Sequence, residues 1–382
     1  MKNNPKCPKC KAKSWKKGKR RGKIKYQCQS CNHWFQVNRS KEKISSKSLL
    51  VQHLSGISFR NLAEIYNCSV GNTYNKVKKG PEELPLCIDV TRWYCQKFQG
   101  ILLVDGKYVK VKRFDRKIPV IFGVDYKTHD IPHFKLVKSE DYLNCKKFFE
   151  SLKLTDYSLQ VVVCDDNQNI YNAAKYVFPK VVIQLCHIHF LRNAKALLDL
   201  KENQLHQLFF QVLKKLLIEK RSKEDFEKKA SNLIKQFSND DICSGILIEL
   251  ARKQPLLQGY LKQKGTPTTT NLIESMNSHL EARVRPLKGF QSFKYAELWL
   301  NGYFLRRRTK KWTDCSGKFR RLNGKTSLEI TKKPGIDVQS FFEKKVTVFE
   351  RSHGLLMALL YYVGTSFTDS IFPTGSQSSI FP

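Results

Sequence analysis

The sequence predicts a mixed α/β core standing behind two small N-terminal modules, one organised by paired cysteines and one wholly helical. Three observations carry that prediction. Apolar runs each end on an aspartate: ILLV before Asp105, PVIFGV before Asp125 and LQVVVC before Asp165, which read as buried strands. Residues 43–80 carry helical apolar spacing and stop at Gly80-Pro81. Residues 1–42 are rich in Lys and Arg, nearly free of acids, and hold two cysteine pairs. Between about 194 and 264 the texture turns almost entirely helical, with AKALLDL, QLHQLFFQVLKKLLIEK and DDICSGILIELARK at helical spacing. A further helix is expected after Thr268-Thr269-Thr270-Asn271, where Thr or Asn can cap its first turn.

Composition narrows the function. At 382 residues, 41% of them hydrophobic, the chain can fold as two or three domains, one with a sizeable core. Its 69 Lys and Arg against 33 Asp and Glu give a formal charge of +36. Self-repulsion on that scale calls for a polyanionic partner, nucleic acid first and an anionic membrane surface second. The opening Met1-Lys2-Asn3-Asn4-Pro5-Lys6 has no apolar core, so no signal peptide is expected. The longest apolar run, 354–364, is about half of what a membrane-spanning helix needs. These features predict a cytoplasmic, nucleoid-associated protein. In that reducing compartment its 12 cysteines are expected as thiols or metal ligands.

The first module follows from cysteine spacing. Cys7-x2-Cys10 and Cys28-x2-Cys31 present four thiolates that can close a tetrahedral Zn²⁺ site, the pattern of a zinc ribbon over 1–42. Four protein ligands leave no open position for a reactive water, so this metal is expected to be structural. Trp34 and Phe35 can pack on the small core. Lys16, Lys17, Lys19, Arg20, Arg21, Lys23 and Lys25 between the knuckles suit phosphates.

The second module, 43–80, reads as a helix-turn-helix. Leu49, Leu50 and Leu54 give one apolar face, ended by Gly56; Phe59, Leu62, Ala63, Ile65 and Tyr66 give another. A tight Asn67-Cys68-Ser69 turn then leads into a third helix from Val70, the element that enters the major groove in such motifs. Asn72, Thr73, Asn75, Lys76 and Lys78 are its expected exposed, DNA-contacting residues.

Three acids then stand out. Phosphodiester transfer with two cations needs carboxylates converging from separate elements, and Mg²⁺ or Mn²⁺ prefers such oxygen ligands. Asp105 lies on a buried strand and is followed by Gly106-Lys107 and the alternation YVKV; an unpaired carboxylate there is costly without a cation. Asp165 ends the run LQVVVC in the same way, with Asp166 beside it as the alternative. Glu274 lies in TTTNLIESMNSHLEARVRP, on a helix that can lean against the sheet.

The segment DDNQNIYNAAKYVFPKVVIQLCHIHFLRN (165–193), with TTTNLIESMN (268–277) further on, resembles the mutator-type transposases of bacterial insertion sequences, relatives of the eukaryotic Mutator-like elements. The likeness runs from about Gly100 to Arg308. It implies a ribonuclease-H-like catalytic domain over 98–308 with an Asp-Asp-Glu triad and a helical insertion at about 194–264 before the Glu. Asp105 then matches the first acid, Asp165 the second, because Ala173 and Phe178-Pro179 fall at the family's distances from it, and Glu274 the third. Cys186 and His189 match the Cys-x2-His signature, followed by Asn193, with His187 between them as a second imidazole. A turn held by side-chain hydrogen bonds accounts for this group as well as a metal site does.

The resemblance further implies Mg²⁺-dependent cleavage at transposon ends and joining of the 3′-hydroxyl to target DNA. Double-stranded DNA is the partner, and a dimer or higher homo-oligomer is expected on it. Arg192, Arg283, Arg285 and Lys288 would line the DNA path. A non-catalytic DNA-binding regulator and a nuclease of the same fold are the rival readings. Residues 309–382 read as a C-terminal extension, partly disordered, ending in SIFP at 370–373 and again at 379–382.

Overall fold

The computed structural model describes residues 4–20, 23–36 and 45–336. The duplicated SIFP and the apolar run at 354–364 fall outside them. Two compact units are present, Met1–Ser45 and Ser46–Pro382. Among the described residues no helix is long and apolar enough to cross a membrane.

The first unit is a three-stranded antiparallel sheet of β1 (Ser14–Arg20), β2 (Lys23–Cys28) and β3 (Trp34–Gln36). The two cysteine knuckles turn alike. Cys7 N–H donates to Ala12 O and Cys28 N–H to His33 O, both at 2.9 Å, and the residue after each second cysteine is left-handed: Lys11 at φ 62°, Asn32 at φ 54°. Phe35 stacks on Tyr26 at 5.8 Å, as a small core requires. Trp34 does not join it; the indole is half-exposed and carries the Lys25 ammonium 4.9 Å above its ring. A sheet this small has one apolar side to fill, and Phe35 takes it.

The second unit begins with three helices, α1 (Ser46–Leu54), α2 (Phe59–Ile65) and α3 (Val70–Lys78). Local chemistry sets their ends. Gly56, at φ 96°, turns the chain out of α1 in a conformation other residues rarely adopt. Ser58 and Ser69 cap α2 and α3 by accepting from Asn61 N–H and Asn72 N–H. These helices belong to the same compact unit as the larger sheet, and His53 of α1 links them to one another and to Trp299. Its ring stacks on Phe59 at 4.1 Å, stands edge-on to Trp299 at 6.4 Å, and donates from Nδ1 to Ile57 O at 3.0 Å. Burial holds this imidazole down to about 4, so it is neutral at physiological pH.

After α4 (Cys87–Tyr94) comes a five-stranded mixed sheet: β4 (Ile101–Val109), β5 (Ile118–Asp125), β6 (Phe134–Leu136), β7 (Val161–Cys164) and β8 (Val182–Leu185). Their spatial order is β6-β5-β4-β7-β8, with the first three antiparallel and β7 and β8 parallel to β4. All eight residues of β5 are buried, as are the four of β7, which explains the unbroken apolar runs. Gly100, just before β4, has φ 75°, and a Cβ there would sit 2.1 Å from Ser158 O, so glycine is required.

Two crossover helices, α5 (Tyr142–Lys153) and α6 (Gln168–Val177), cover one face of the sheet. Phe148, Phe149, Ile170, Ala173 and Val177 meet Leu102, Val104 and Val162 there. The same core continues into α7 (His187–Leu197), α8 (Gln204–Ile218), α9 (Lys223–Phe237) and α10 (Asp241–Leu257) through Leu191, Phe209, Leu213, Phe226 and Leu250. The opposite face receives α11 (Asn271–Val284) and α12 (Phe293–Thr309), with Phe304 on Phe122 at 5.2 Å. The fold is thus α/β, with helices on both faces of the larger sheet.

Residues 309–336 are packed into this unit. Trp312 Nε1 donates to Ser327 Oγ at 2.9 Å, and α13 (Ser327–Thr331) sends Thr331 Oγ1 to Asp130 Oδ2 at 2.7 Å. Asp130 also forms a bidentate pair with Arg308, whose Nε and Nη2 donate at 2.8 and 2.9 Å, with both side chains fully buried. This pair joins α12, α13 and the β5–β6 connection.

Candidate active site

The central strand delivers the first acid. Leu102 and Val104 point into the core under α5 and α6, so alternation turns Asp105 to the other face, toward α11. Its Oδ1 accepts from Gly106 N–H at 2.8 Å and its Oδ2 from Asn277 Nδ2 at 2.6 Å. The second acid follows from strand pairing. Leu103 is in register with Val163, so Asp165, one residue past β7, comes beside Asp105. Burial, then the charge of Asp165, push the Asp105 carboxyl up to about 6 despite those hydrogen bonds. Burial also raises Asp165, opposed first by the charge of His189. Asp165 Oδ1 is buried without a hydrogen-bond partner among the described residues. Two partly buried acids side by side, both raised by burial and one with an unmatched oxygen, leave negative charge for a cation to neutralise.

Glu274 enters from the first turn of α11. Thr270, at the N-cap position, makes no cap hydrogen bond with its side chain, unlike Ser58 and Ser69. Its buried hydroxyl instead lies 3.1 Å from Glu274 Oε1, 3.3 Å from His189 Nδ1 and 3.2 Å from Cys186 Sγ. One hydroxyl hydrogen serves one acceptor at a time, so this is a junction between the Cys-x2-His signature and the glutamate. His189 Nε2 is 3.8 Å from Glu274 Oε1, and Arg192 Nη2 is 3.8 Å from Oε2. The hydrogen bond to Cys186 raises the His189 pKa, against burial. Burial works to raise Cys186, but bonds from His189 and Thr270 outweigh it and lower the thiol.

Neighbours of similar type are used differently. Asp166 forms an ion pair with Lys253 of α10, which also reaches Glu249 at 2.7 Å. His187 is buried, with Nδ1 2.6 Å from Leu217 O and Nε2 2.7 Å from Leu257 O, and ties β8 to the inserted helices. It is a packing residue, while His189 is the imidazole beside the acids. Asn193 is exposed further along α7.

Glu140 went unmarked in the sequence. Its carboxylate accepts from Tyr108 OH at 2.8 Å and occupies the space over Gly106, where a Cβ would lie 2.5 Å from Oε1. Burial raises its pKa, as do the charges of Asp165 and Asp105. A side chain at position 106 would displace this carboxylate from its place against β4.

The N-terminal thiols form a second constellation. Cys7, Cys10, Cys28 and Cys31 bring all four sulfurs within 4.8 Å of one another. Sulfur separations of 3.3 Å for Cys10–Cys28, 3.5 Å for Cys10–Cys31 and 3.7 Å for Cys7–Cys31 approach the ~3.8 Å edge of a tetrahedron with ~2.3 Å metal–sulfur bonds. Ser30 N–H and Cys31 N–H both donate to Cys28 Sγ at 3.4 Å, and the latter is the leading cause that lowers this thiol to about 6.

A third cluster, His206, Asp240 and Cys243, gathers between α8 and α10 but is poorly suited to a metal. His206 Nδ1 accepts from Asp199 N–H at 3.0 Å, so in the neutral ring Nε2 carries the hydrogen and faces Asp240 Oδ1 at 3.4 Å. Asp240 is the cap of α10, accepting from Cys243 N–H at 2.8 Å.

On α3, Asn72, Asn75 and Lys78 are exposed and Lys76 is half-buried. The expected exposure of Thr73 is corrected. Its side chain is fully buried, donates to Ser69 O at 3.2 Å and contacts Cys68 Sγ at 2.9 Å. Thr73 and Val77, four residues apart, form the inner stripe of the helix. Arg285 is exposed beyond α11, while Arg283 is half-buried with its Cα and Cγ close to Gly56.

Comparison with known proteins places this geometry in context. Two curated relatives are transposases for the insertion sequence element IS256 in transposon Tn4001, from Staphylococcus aureus and from Enterococcus faecalis (strain ATCC 700802 / V583). Each is 26% identical over 169 residues, covering 42% of this chain. The match spans 43% of the length of each relative. A family model described as "Transposase, Mutator family" matches residues 37–297, which include all three acids, the Cys-x2-His segment and the three N-terminal helices of the second unit. The chain belongs to the Mutator family of transposases.

Proposed function

We propose that this protein is an insertion-sequence transposase that cleaves DNA at transposon ends and joins the freed 3′-hydroxyl to target DNA. What supports the reading is the strand register that sets Asp165 beside Asp105, the reach of the Glu274-bearing helix α11 to Asp105 through Asn277, and an Asp165 Oδ1 that has no donor among the described residues. The sheet order 3-2-1-4-5, antiparallel then parallel, supports assignment to the ribonuclease-H-like fold, with α7 to α10 inserted before the helix that bears the glutamate. Lys253 engages Asp166, which supports Asp165 as the acid that faces the reaction.

Mg²⁺ or Mn²⁺ fits these hard oxygen ligands, and when bound would polarise the scissile phosphate and lower the pKa of a water or 3′-hydroxyl. The chain's own groups prepare that site. Gly106 N–H and Asn277 Nδ2 fix both oxygens of Asp105 before DNA arrives. Thr270 aligns Glu274, and His189, its pKa raised by the hydrogen bond to Cys186, would offset part of the acidic charge near it when protonated. Arg192, 59% exposed beside Glu274, would meet a DNA phosphate.

The remaining modules fit the same function. The four thiolates of the first unit would hold a structural Zn²⁺ in a zinc ribbon, and its lysines would follow the DNA backbone. Helices α1 to α3 would act as a helix-turn-helix that reads the transposon ends, with Asn72, Asn75, Lys76 and Lys78 toward the duplex. Arg283 and Arg285 would continue the DNA path. The protein would work as a homodimer or larger assembly on paired ends, in the cytoplasm at the nucleoid.

The test is strand transfer in vitro with full-length protein, Mg²⁺ or Mn²⁺, DNA carrying the ends that flank its gene, and a plasmid target. Joined 3′ ends are expected from the wild type and from Asp166→Asn, and none from Asp165→Ala. Joining by Asp165→Ala would overturn the assignment of the acids.

A further inference from the structure

Asn277 stands three residues beyond Glu274 on α11, and its side chain reaches the first acid directly. An ionised carboxylate only accepts hydrogen bonds, so the amide must turn Nδ2 toward Asp105, where it donates to Oδ2 at 2.6 Å. With Gly106 N–H on Oδ1 at 2.8 Å, each oxygen of Asp105 has one fixed donor. That choice commits the rest of the amide. Asn277 Oδ1 is left buried, with no hydrogen-bond partner among the described residues.

Asp165 Oδ1 is in the same condition on the neighbouring strand end. Buried polar atoms are almost always paired, and each exception calls for an explanation. Two unmatched oxygens on different elements, both belonging to residues that meet Asp105 by hydrogen bond or by charge, share one simple explanation. A hydrated divalent cation at the acids supplies what both lack: the metal itself for a carboxylate oxygen, and water hydrogens for an amide oxygen. Mg²⁺ in particular retains several of its waters when bound.

We propose that Asn277 is a positioning residue of the carboxylate site, its Nδ2–H fixing Asp105 and its Oδ1 accepting from a water in the shell of the bound cation. The inference rests on the reading of Asp105, Asp165 and Glu274 as a cation site. A residue that merely joined α11 to β4 would need only the donor and could leave its oxygen in solvent; here that oxygen is buried.

The experiment measures Mn²⁺ affinity of the full-length protein without DNA, from the free-Mn²⁺ electron paramagnetic resonance signal at pH 7.5. Asn277→Ala is expected to weaken Mn²⁺ binding about 10–100-fold, the usual effect of removing a group that orients metal ligands. The melting temperature in EDTA should move by no more than a few degrees. If Asn277→Ala does not fold, Asn277→Gln keeps the amide but displaces it by a methylene, and should weaken binding to a smaller extent. Mn²⁺ affinity within twofold of wild type in the folded variant overturns the proposal. Undiminished Mn²⁺ binding by Asp105→Ala would instead overturn the cation-site reading on which it rests.

Discussion

Replacing Asp105 with Asn should make the metal-free protein more stable while removing its first acid. Burial and the charge of Asp165 hold the Asp105 carboxyl at about 6, against an ordinary value of 3.8. A group with a raised folded-state pKa binds its proton more tightly folded than unfolded. Its stability is fully present below about pH 4, falls as pH rises toward 6, and stays lowered above that. At ~1.4 kcal/mol per tenfold change in proton affinity, the rise to about 6 corresponds to ~3 kcal/mol at neutral pH. Solvent reaching the partly exposed side chain reduces this to about 2 kcal/mol. The isostere has a place to go: its oxygen can accept from Gly106 N–H, and its amide can donate to Asn277 Oδ1 once that amide turns over. Urea unfolding in EDTA is the assay. Asp105→Asn should gain about 2 kcal/mol over wild type at pH 7.5 and nothing at pH 4. Added Mn²⁺ should raise the stability of wild type and leave the variant unmoved. Equal stability at pH 7.5, or a gain of the same size at pH 4, would refute the electrostatic argument.

Other perturbations probe separate parts of the account. Arg308→Ala leaves the buried Asp130 with donors only from Thr331 Oγ1 and Ile131 N–H, and should cost about 3–5 kcal/mol in urea unfolding; a loss under 1 kcal/mol would show that the pair is dispensable. Cys28→Ser should abolish one tightly bound Zn²⁺ per chain, measured by plasma mass spectrometry after EDTA dialysis, whereas Cys68→Ser should retain it. Lys78→Ala should weaken binding to transposon ends and reduce the slope of log affinity against log salt by about 1. Thr73→Val, at a buried position, should change stability rather than sequence preference, and altered preference without destabilisation would return Thr73 to the DNA face.

What the sequence displayed was whatever local patterning controls. The apolar runs before Asp105 and Asp165 are strands buried on both faces, so their continuity and their terminal acids are visible along the chain. Gly56 and Ser69 mark helix ends through backbone chemistry confined to a few residues. The residues around the acids were hidden because they meet through the fold. Asn277 reaches Asp105 across 172 positions, and Lys253 reaches Asp166 across 87. Thr270 read as a helix cap because nothing local shows that its hydroxyl turns toward Cys186 and Glu274 instead. Glu140 depends on the absence of a side chain at Gly106, which only the packed sheet reveals. Thr73 is a different case. Its four-residue spacing from Val77 was legible, but a hydroxyl suggested exposure where packing on the inner stripe prevailed.

Asp105, Asp165 and Glu274, far apart in the chain, are expected to share one divalent cation centre. Fe²⁺ can replace Mg²⁺ at such a centre and, with ascorbate and peroxide, cut the nearby polypeptide. Fragments from cuts near residues 105, 165 and 274 together are expected, suppressed by excess Mg²⁺ and absent from Asp165→Ala. Cuts confined to the surroundings of His206, Asp240 and Cys243, or unaffected by Asp165→Ala, would contradict a shared centre.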